Sequence, residues 1–219
     1  MTAHQSALPL PVRLLNTAGR GANALGLHPV SLQMDDLLDK ACANTGLSDF
    51  GEDDFREPLA LLLDCLEREA RLSLMGRMVA RADLLRTLQN RLGVVDLLHR
   101  HPEIEAQPVE RPIFVVGPPR TGTTIFHDLL IQDSDNRIPL SWETAYPLPP
   151  PETGSYHTDP RIARVQADLD RVDRLVPEFK KMHPMGAERA QECVAITSHD
   201  FASMIFNVQF NVPTYDRWV

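Results

Sequence analysis

The sequence predicts an α/β domain behind a helical front end, and three observations carry that prediction. A short apolar run rich in β-branched residues, Ile113-Phe114-Val115-Val116, stands between turn residues and reads as a strand buried on both faces. A glycine-bounded loop, Gly117 to Gly122, follows it and opens into a helical pattern at Thr123. Residues 31–103 show helical spacing throughout and no strand signal.

Composition narrows the function classes. The chain has 219 residues, 43% of them hydrophobic and 24% charged, as in ordinary globular proteins. No apolar run approaches the roughly 20 residues of a membrane helix. Residues 1–30 lack the basic head and apolar block of a secretory signal, so a cytoplasmic location is expected. The net charge of −8 disfavours a nucleic-acid partner. Acidic residues concentrate between Asp35 and Glu69 without the alternating ligands of a calcium loop, and read as a solvated helical face. Cys42, Cys65 and Cys193 are widely separated and odd in number. They suggest free thiols, with neither a disulfide framework nor a metal site.

The elements follow in order. Residues 1–30 read as an irregular arm. Leu37, Leu38, Ala41 and Cys42 have helical spacing, and Gly46 stops that helix. Pro58 opens a helix to about Arg71, with Leu61, Leu62, Cys65 and Leu66 as its apolar stripe. A further helix runs from about Leu74 to Leu92, and Val94 to His99 add a short turn. His99 and His101 lie at a helix end beside Pro102. Residues 31–107 thus form a helical extension, and residues 108–219 a second unit. Thr123 to Gln132 read as a helix with Phe126, Leu129 and Leu130 facing inward. Residues 139–160 form a proline-rich connector. Asp159-Pro160 start a helix that Pro177 disrupts. Ala187 to about Asn207 read as a last long helix, and Pro213 begins one more turn.

The loop carries the chemistry. Strand, glycine loop and helix start together make an anion site, because first-turn N–H groups and the helix dipole point at the ligand. Thr121, Thr123 and Thr124 add hydroxyls, and Arg120 adds a charged planar fork. The spacing matches a nucleotide-binding phosphate loop except that Thr123 stands where the lysine would be. That lysine reaches a nucleotide's terminal phosphates beside magnesium, so its absence disfavours an ATPase or kinase.

The string Pro-Ile-Phe-Val-Val-Gly-Pro-Pro-Arg-Thr-Gly-Thr-Thr, residues 112–124, resembles the sulfotransferase family, especially bacterial members with a helical N-terminal extension. The resemblance extends through Asn136–Glu143, His183–Glu188 and the stretch from Glu192 to Phe206. It implies a three-layer α/β fold of the P-loop type, here helix-dominated with few strands. It also implies a 3′-phosphoadenosine 5′-phosphosulfate donor, a small hydroxyl acceptor and no metal. Pro119, Arg120, Thr121, Gly122, Thr123 and Thr124 would hold the donor's 5′-phosphosulfate. Family members carry later Lys-Ser-Pro-type and Arg-Asp/Asn-Pro-type segments that help bind the donor, and neither is found here. The expectation is therefore an N-terminal part of a longer enzyme.

Sulfuryl transfer also needs a base for the acceptor hydroxyl. Glu143 is one candidate, since its Trp-Glu-Thr setting is similar to the segment carrying the base in tyrosylprotein sulfotransferases. A surface or helix-capping glutamate is the equal alternative. His183, on a turn beside Pro184 and Gly186, is the second candidate. His127 reads as a phosphate contact or a solvated histidine, and His199 as a packing residue. Trp142, Tyr146 and Phe201 fit either an acceptor pocket or the core. A nucleotide-binding kinase-like protein and a non-catalytic helical module are the competing readings.

Overall fold

The computed structural model describes residues 8–27, 29–118, 121–175 and 185–219. Its described part is helix-dominated, and its single β-pairing there is an antiparallel bridge between Leu140 and Ala190.

The irregular arm expected over residues 1–30 contains a helix, α1 (Leu10–Ala24). Its buried face consists of Val12, Asn16 and Gly19, so it offers no stripe of large apolar residues. Asn16 Oδ1 accepts from the Met75 N–H at 3.0 Å, which satisfies a first-turn donor of the longest helix. A Cβ on Gly19 would lie 2.5 Å from the Leu74 Cβ, so the two helices touch closely there.

Three helices build the front core. They are α2 (Met34–Thr45), α3 (Arg56–Arg68) and α4 (Leu74–Arg100). Leu37 and Ala41 of α2, Leu59 and Leu62 of α3, and Leu84, Leu88 and Leu92 of α4 are buried together. Ser73 caps α4 by accepting from the Gly76 N–H at 3.2 Å. The expected break near residue 93 is absent, and α4 runs unbroken for 27 residues. Gly93 serves close approach instead: a Cβ there would lie 2.3 Å from Leu148 Cδ1.

Two arginines lock this core from inside. Arg77 makes a bidentate pair with Glu67 at 2.7 and 2.6 Å, and two bonds to the Val30 carbonyl. Arg91 donates to the carbonyls of Phe50 and Glu52 and to Asp54, and pairs with Asp200. Its guanidinium also stacks 4.5 Å from the Phe55 ring centroid.

The late part of the chain returns to the same core. The long helix expected from Ala187 to Asn207 is broken into α8 (Cys193–Thr197), a 3₁₀ turn (Ser198–Asp200) and α9 (Ile205–Gln209). Two local devices break it. Phe201 adopts a φ of 57° and drives its ring between Phe55 and Phe206, with centroids at 6.2 and 6.0 Å. The Ser203 hydroxyl donates to the Val194 carbonyl at 2.6 Å and accepts from the Ile205 N–H, replacing helical bonds with side-chain ones. The last helix, α10 (Pro213–Trp218), buries Tyr215, whose hydroxyl donates to the Phe201 carbonyl and accepts from the Ser203 N–H. Glu69 accepts from both the N–H and hydroxyl of Thr214, tying α10 to the end of α3.

A second, smaller core holds Leu140, Trp142, Val165 and Ala187. It joins a short helix inside the proline-rich connector, α6 (Ser141–Ala145), to α7 (Pro160–Leu175). Helix α5 (Thr123–Leu130) precedes this core in the chain.

The segment Ile113–Val116, expected as a strand buried on both faces, has no regular secondary structure and no paired neighbour among the described residues. It is also bare: Ile113 is 62%, Phe114 82% and Val116 91% exposed. A strand is completed by N–H and C=O groups of adjacent strands, and none lies beside it in the described residues. Phe126 and Leu129, expected to face inward, are 51% and 63% exposed for the same lack of a covering layer.

Candidate functional site

The loop after Val116 folds back on itself. A Cβ on Gly117 would meet Thr121 Oγ1 and Thr123 Cγ2, both at 3.0 Å, so the turn closes over a position that has no room for a side chain. The Thr121 hydroxyl fixes the turn by donating to the Pro118 carbonyl at 2.7 Å. Gly122 then takes a φ of 96°, in the left-handed region that glycine tolerates best, and sits at the N-cap of α5. Its carbonyl accepts the first helical bond, from the Phe126 N–H at 3.0 Å. As a glycine, Gly122 offers no side chain to cap this helix start. The first-turn N–H groups of Thr123, Thr124 and Ile125 are left facing the loop mouth, where the helix dipole favours an anion. A phosphate or sulfate fits that donor set, and the closed turn at Gly117 lets it approach backbone. Pro119 and Arg120 lie outside the described residues, as does His183.

Glu143 stands in a different neighbourhood. It is buried, and three donors hold its carboxylate: Arg137 at 2.5 Å, the Leu140 N–H at 2.8 Å and the Tyr156 hydroxyl at 2.9 Å. The Leu140 bond is that of an N3 glutamate closing the start of its own helix, α6. A carboxylate offers about four lone-pair directions, so one direction stays available. Burial, and next the bond to Glu143, push the Tyr156 hydroxyl from 10.0 up to about 12.

Trp142, beside it, is fully buried, in edge contact with Tyr156 at 5.3 Å between centroids. Arg161 covers its other side, 4.6 Å from the ring centroid. Arg161 is itself saturated by Asp159, the Tyr146 carbonyl and the Pro149 carbonyl. The bond to Arg161 holds the Asp159 carboxyl down at about 2. Trp142 and Phe201 are core residues. Tyr146 is half-buried under the Arg164 guanidinium at 3.9 Å.

α5 separates the loop from this cluster. Its far end is tied to the cluster through Asp128, which pairs with Arg189 at 2.5 Å, and through Ile131, which packs on the Trp142 group. The segment around Leu140 runs beside the 187–191 segment, with the Ser141 N–H donating to the Arg189 carbonyl at 2.9 Å and the Trp142 N–H to the Ala187 carbonyl at 3.0 Å. The eight residues of α5 rise about 12 Å from the turn at Gly122 to Leu130. His127 lies on that helix, half-buried.

His199 is a packing residue, as its sequence context suggested. Its Nδ1 bonds to the Ile196 carbonyl at 2.9 Å and its Nε2 to the Asn90 amide at 3.2 Å, and burial lowers its pKa. Sequence reasoning missed Tyr156, Arg161 and Arg91 altogether. Tyr156 finds Glu143 13 positions away and Arg91 finds Asp200 109 positions away, and no local spacing announces such pairs; Arg161 joins the nearby Asp159 to the carbonyls of Tyr146 and Pro149.

The described residues form a helix-dominated protein in which a glycine-bounded turn leads into α5, and it was compared with known proteins. The sulfotransferase family model matches residues 112–219. Sulfotransferase STF1 of Mycobacterium tuberculosis superposes with a TM-score of 0.74 at 32% identity, over 86% of this chain and 52% of that one. Sulfotransferase STF9 of Mycobacterium avium gives 0.77 at 32%, over 87% and 49%. No curated protein sequence matches the chain. The chain belongs to the sulfotransferase family. It spans about half the length of the mycobacterial structures it matches.

Proposed function

We propose that this chain forms the donor-binding front of a cytoplasmic sulfotransferase with a three-layer α/β domain. That enzyme moves a sulfuryl group from 3′-phosphoadenosine 5′-phosphosulfate to a small hydroxyl acceptor. The observation that carries the reading is the uncapped start of α5 behind the closed Gly117–Gly122 turn, inside the segment matched by the family model. Loop amides, Thr121, Thr123, Thr124 and Arg120 would hold the 5′-phosphosulfate. They would also stabilise charge on the bridging oxygen as the sulfur–oxygen bond breaks. The acceptor oxygen forms the new bond to sulfur, its proton passes to a base, and adenosine 3′,5′-bisphosphate leaves. Glu143 and His183 are the two candidate bases. The three donors on Glu143 support an anchoring role for it beside that one.

Calorimetry tests the donor site. Binding of adenosine 3′,5′-bisphosphate without magnesium, weakened by Arg120→Ala, is the expected result. Binding of ATP that needs magnesium, with no response to the bisphosphate, would overturn the reading in favour of a kinase-like protein. A sulfuryl-transfer assay on the Glu143→Gln and His183→Ala variants separates the bases. The base variant loses turnover while keeping donor affinity and the wild-type unfolding curve.

A further inference from the structure

Charge is spread unevenly along the chain. No acidic residue occurs between Met1 and Met34, whereas Arg13 and Arg20 do. A second acid-free stretch runs from Ala70 to Ala82 and holds Arg71, Arg77 and Arg81. The fold brings the two stretches together: Asn16 of α1 bonds to the Met75 N–H, and Gly19 abuts Leu74. A groove of about 490 Å³ joins Pro29, Val30 and Ser31 to Met78, and its one acid, Asp36, is paired by Arg81 at 2.7 Å. A chain with a net charge of −8 thus carries two joined segments whose own charges are all basic.

The same region is apolar on its outer side. Along α1, Leu10, Leu14, Ala18 and Gly21 recur at helical spacing, on the side away from the buried Val12, Asn16 and Gly19. Leu10 and Leu14 are 64% and 62% exposed, and Leu25 and Leu27, just past the helix, are 78% and 59% exposed. Met78 and Val79 of α4 are exposed as well. Arg13 and Arg20 stand two turns apart on one flank of the leucine side. Arg20 donates to Thr17 at 2.9 Å, and neither arginine pairs with a carboxylate among the described residues. Arg77, Arg81 and Arg91 of the core each do. Apolar side chains are exposed elsewhere too, but acids stand among them: Glu110 beside Val109, Asp128 on α5 and Asp216 beside Trp218.

We propose that α1 and the residues just after it dock on an anionic lipid surface. The leucines enter the boundary between headgroups and acyl chains, and Arg13 and Arg20 meet lipid phosphates. The Val12, Asn16 and Gly19 side stays on α4, so docking needs no rearrangement of the front. The side-chain types favour lipid over a protein partner. Leu8 joins the other four exposed leucines, and no aromatic residue occurs before Met34. Protein interfaces concentrate their binding energy in Trp, Tyr and Arg seated in pockets, whereas a fluid boundary accepts leucine at any point. The proposal is independent of the donor reading.

Flotation with vesicles tests it, using phosphatidylcholine containing about one-third phosphatidylglycerol and phosphatidylcholine alone. The expected result is binding to the anionic vesicles at least about 10-fold stronger than to the neutral ones, lost as salt rises toward roughly 1 M. Arg13→Gln and Arg20→Gln should each weaken it roughly 5-fold. Leu10→Gln combined with Leu14→Gln should weaken it at least about 10-fold. Circular dichroism and the urea transition should stay unchanged in that double variant, because both side chains are exposed and glutamine suits a helix. Val109→Gln, at an exposed residue beyond the far end of α4, should leave binding intact. Failure to float with the anionic vesicles would overturn the proposal, as would equal binding to neutral ones. An equal loss in Val109→Gln would overturn it as general stickiness. Self-association in sedimentation that the leucine variants abolish would overturn it by assigning the face to a second copy.

Discussion

The helical front and the loop region solve the same problem with opposite success. In the front, Leu37, Phe55, Leu62, Leu88 and Tyr215 are removed from solvent, and even the charges of Arg77 and Arg91 are matched. In the loop region, a run that is more apolar per residue lies open to water. The difference follows from where each element finds its hydrogen bonds. A helix satisfies its backbone within its own segment and needs only apolar faces to meet. A strand satisfies its backbone only through distant chain, so it stays incomplete until that chain arrives.

The sharpest way to break this contrast is a pair of truncations. Leu88→Ala should cost about 3–4 kcal/mol, from lost transfer energy and the cavity left in a closed core. Val116→Ala should change the same urea transition by less than about 0.5 kcal/mol, because nothing packs on that side chain. Equal losses at both sites would show the loop region to be as well packed as the front.

Arg91→Met comes next, at about 2–3 kcal/mol by denaturation followed by circular dichroism. The change leaves the Phe50 and Glu52 carbonyls without their donors inside the fold, while Asp54 and Asp200 turn to water. Loss well under this range would mean that the arginine decorates the core without locking it.

Tyr156→Phe removes one donor to Glu143 and should cost about 1 kcal/mol near neutral pH. It also carries a pH signature. The hydroxyl is raised from 10.0 to about 12 in the folded chain, so its stabilisation is full below pH 10 and is lost as pH rises toward 12. The Phe variant should lack that alkaline slope. The His199 junction gives the smallest effect and the opposite sign. The folded pKa of His199 lies below its ordinary 6.5, so stability is full above that value and falls as pH drops below it. Asn90, the Ile196 carbonyl, Asp200, Arg86 and Arg91 face the ring. His199→Gln should flatten that acid slope in thermal unfolding.

Much of the front was legible because helical periodicity is local: α2 and α3 begin and end, and α7 begins, near where spacing and Pro or Gly place them. α1 escaped because its buried face holds Asn16 and Gly19, and α6 because its helix hides among prolines. The break at Phe201 escaped because a core pocket, rather than a turn residue, bends the chain there. At the site, Gly117, Gly122 and the threonines were readable from type and spacing. Glu143 was readable both as a candidate base and as a capping residue, and its carboxylate does close the start of α6.

Sequence alone determined the glycine-bounded turn, since the steric needs of a tight turn at Gly117 and Gly122 and the helix start after it are set within a dozen residues. It determined the family as well, through the same string. Tertiary structure alone decided that residues 201–215 complete the front core and that Tyr156 and Arg137 grip Glu143. These depend on pairs distant in the chain, and such pairs become neighbours only when packing and burial select one arrangement of the helices.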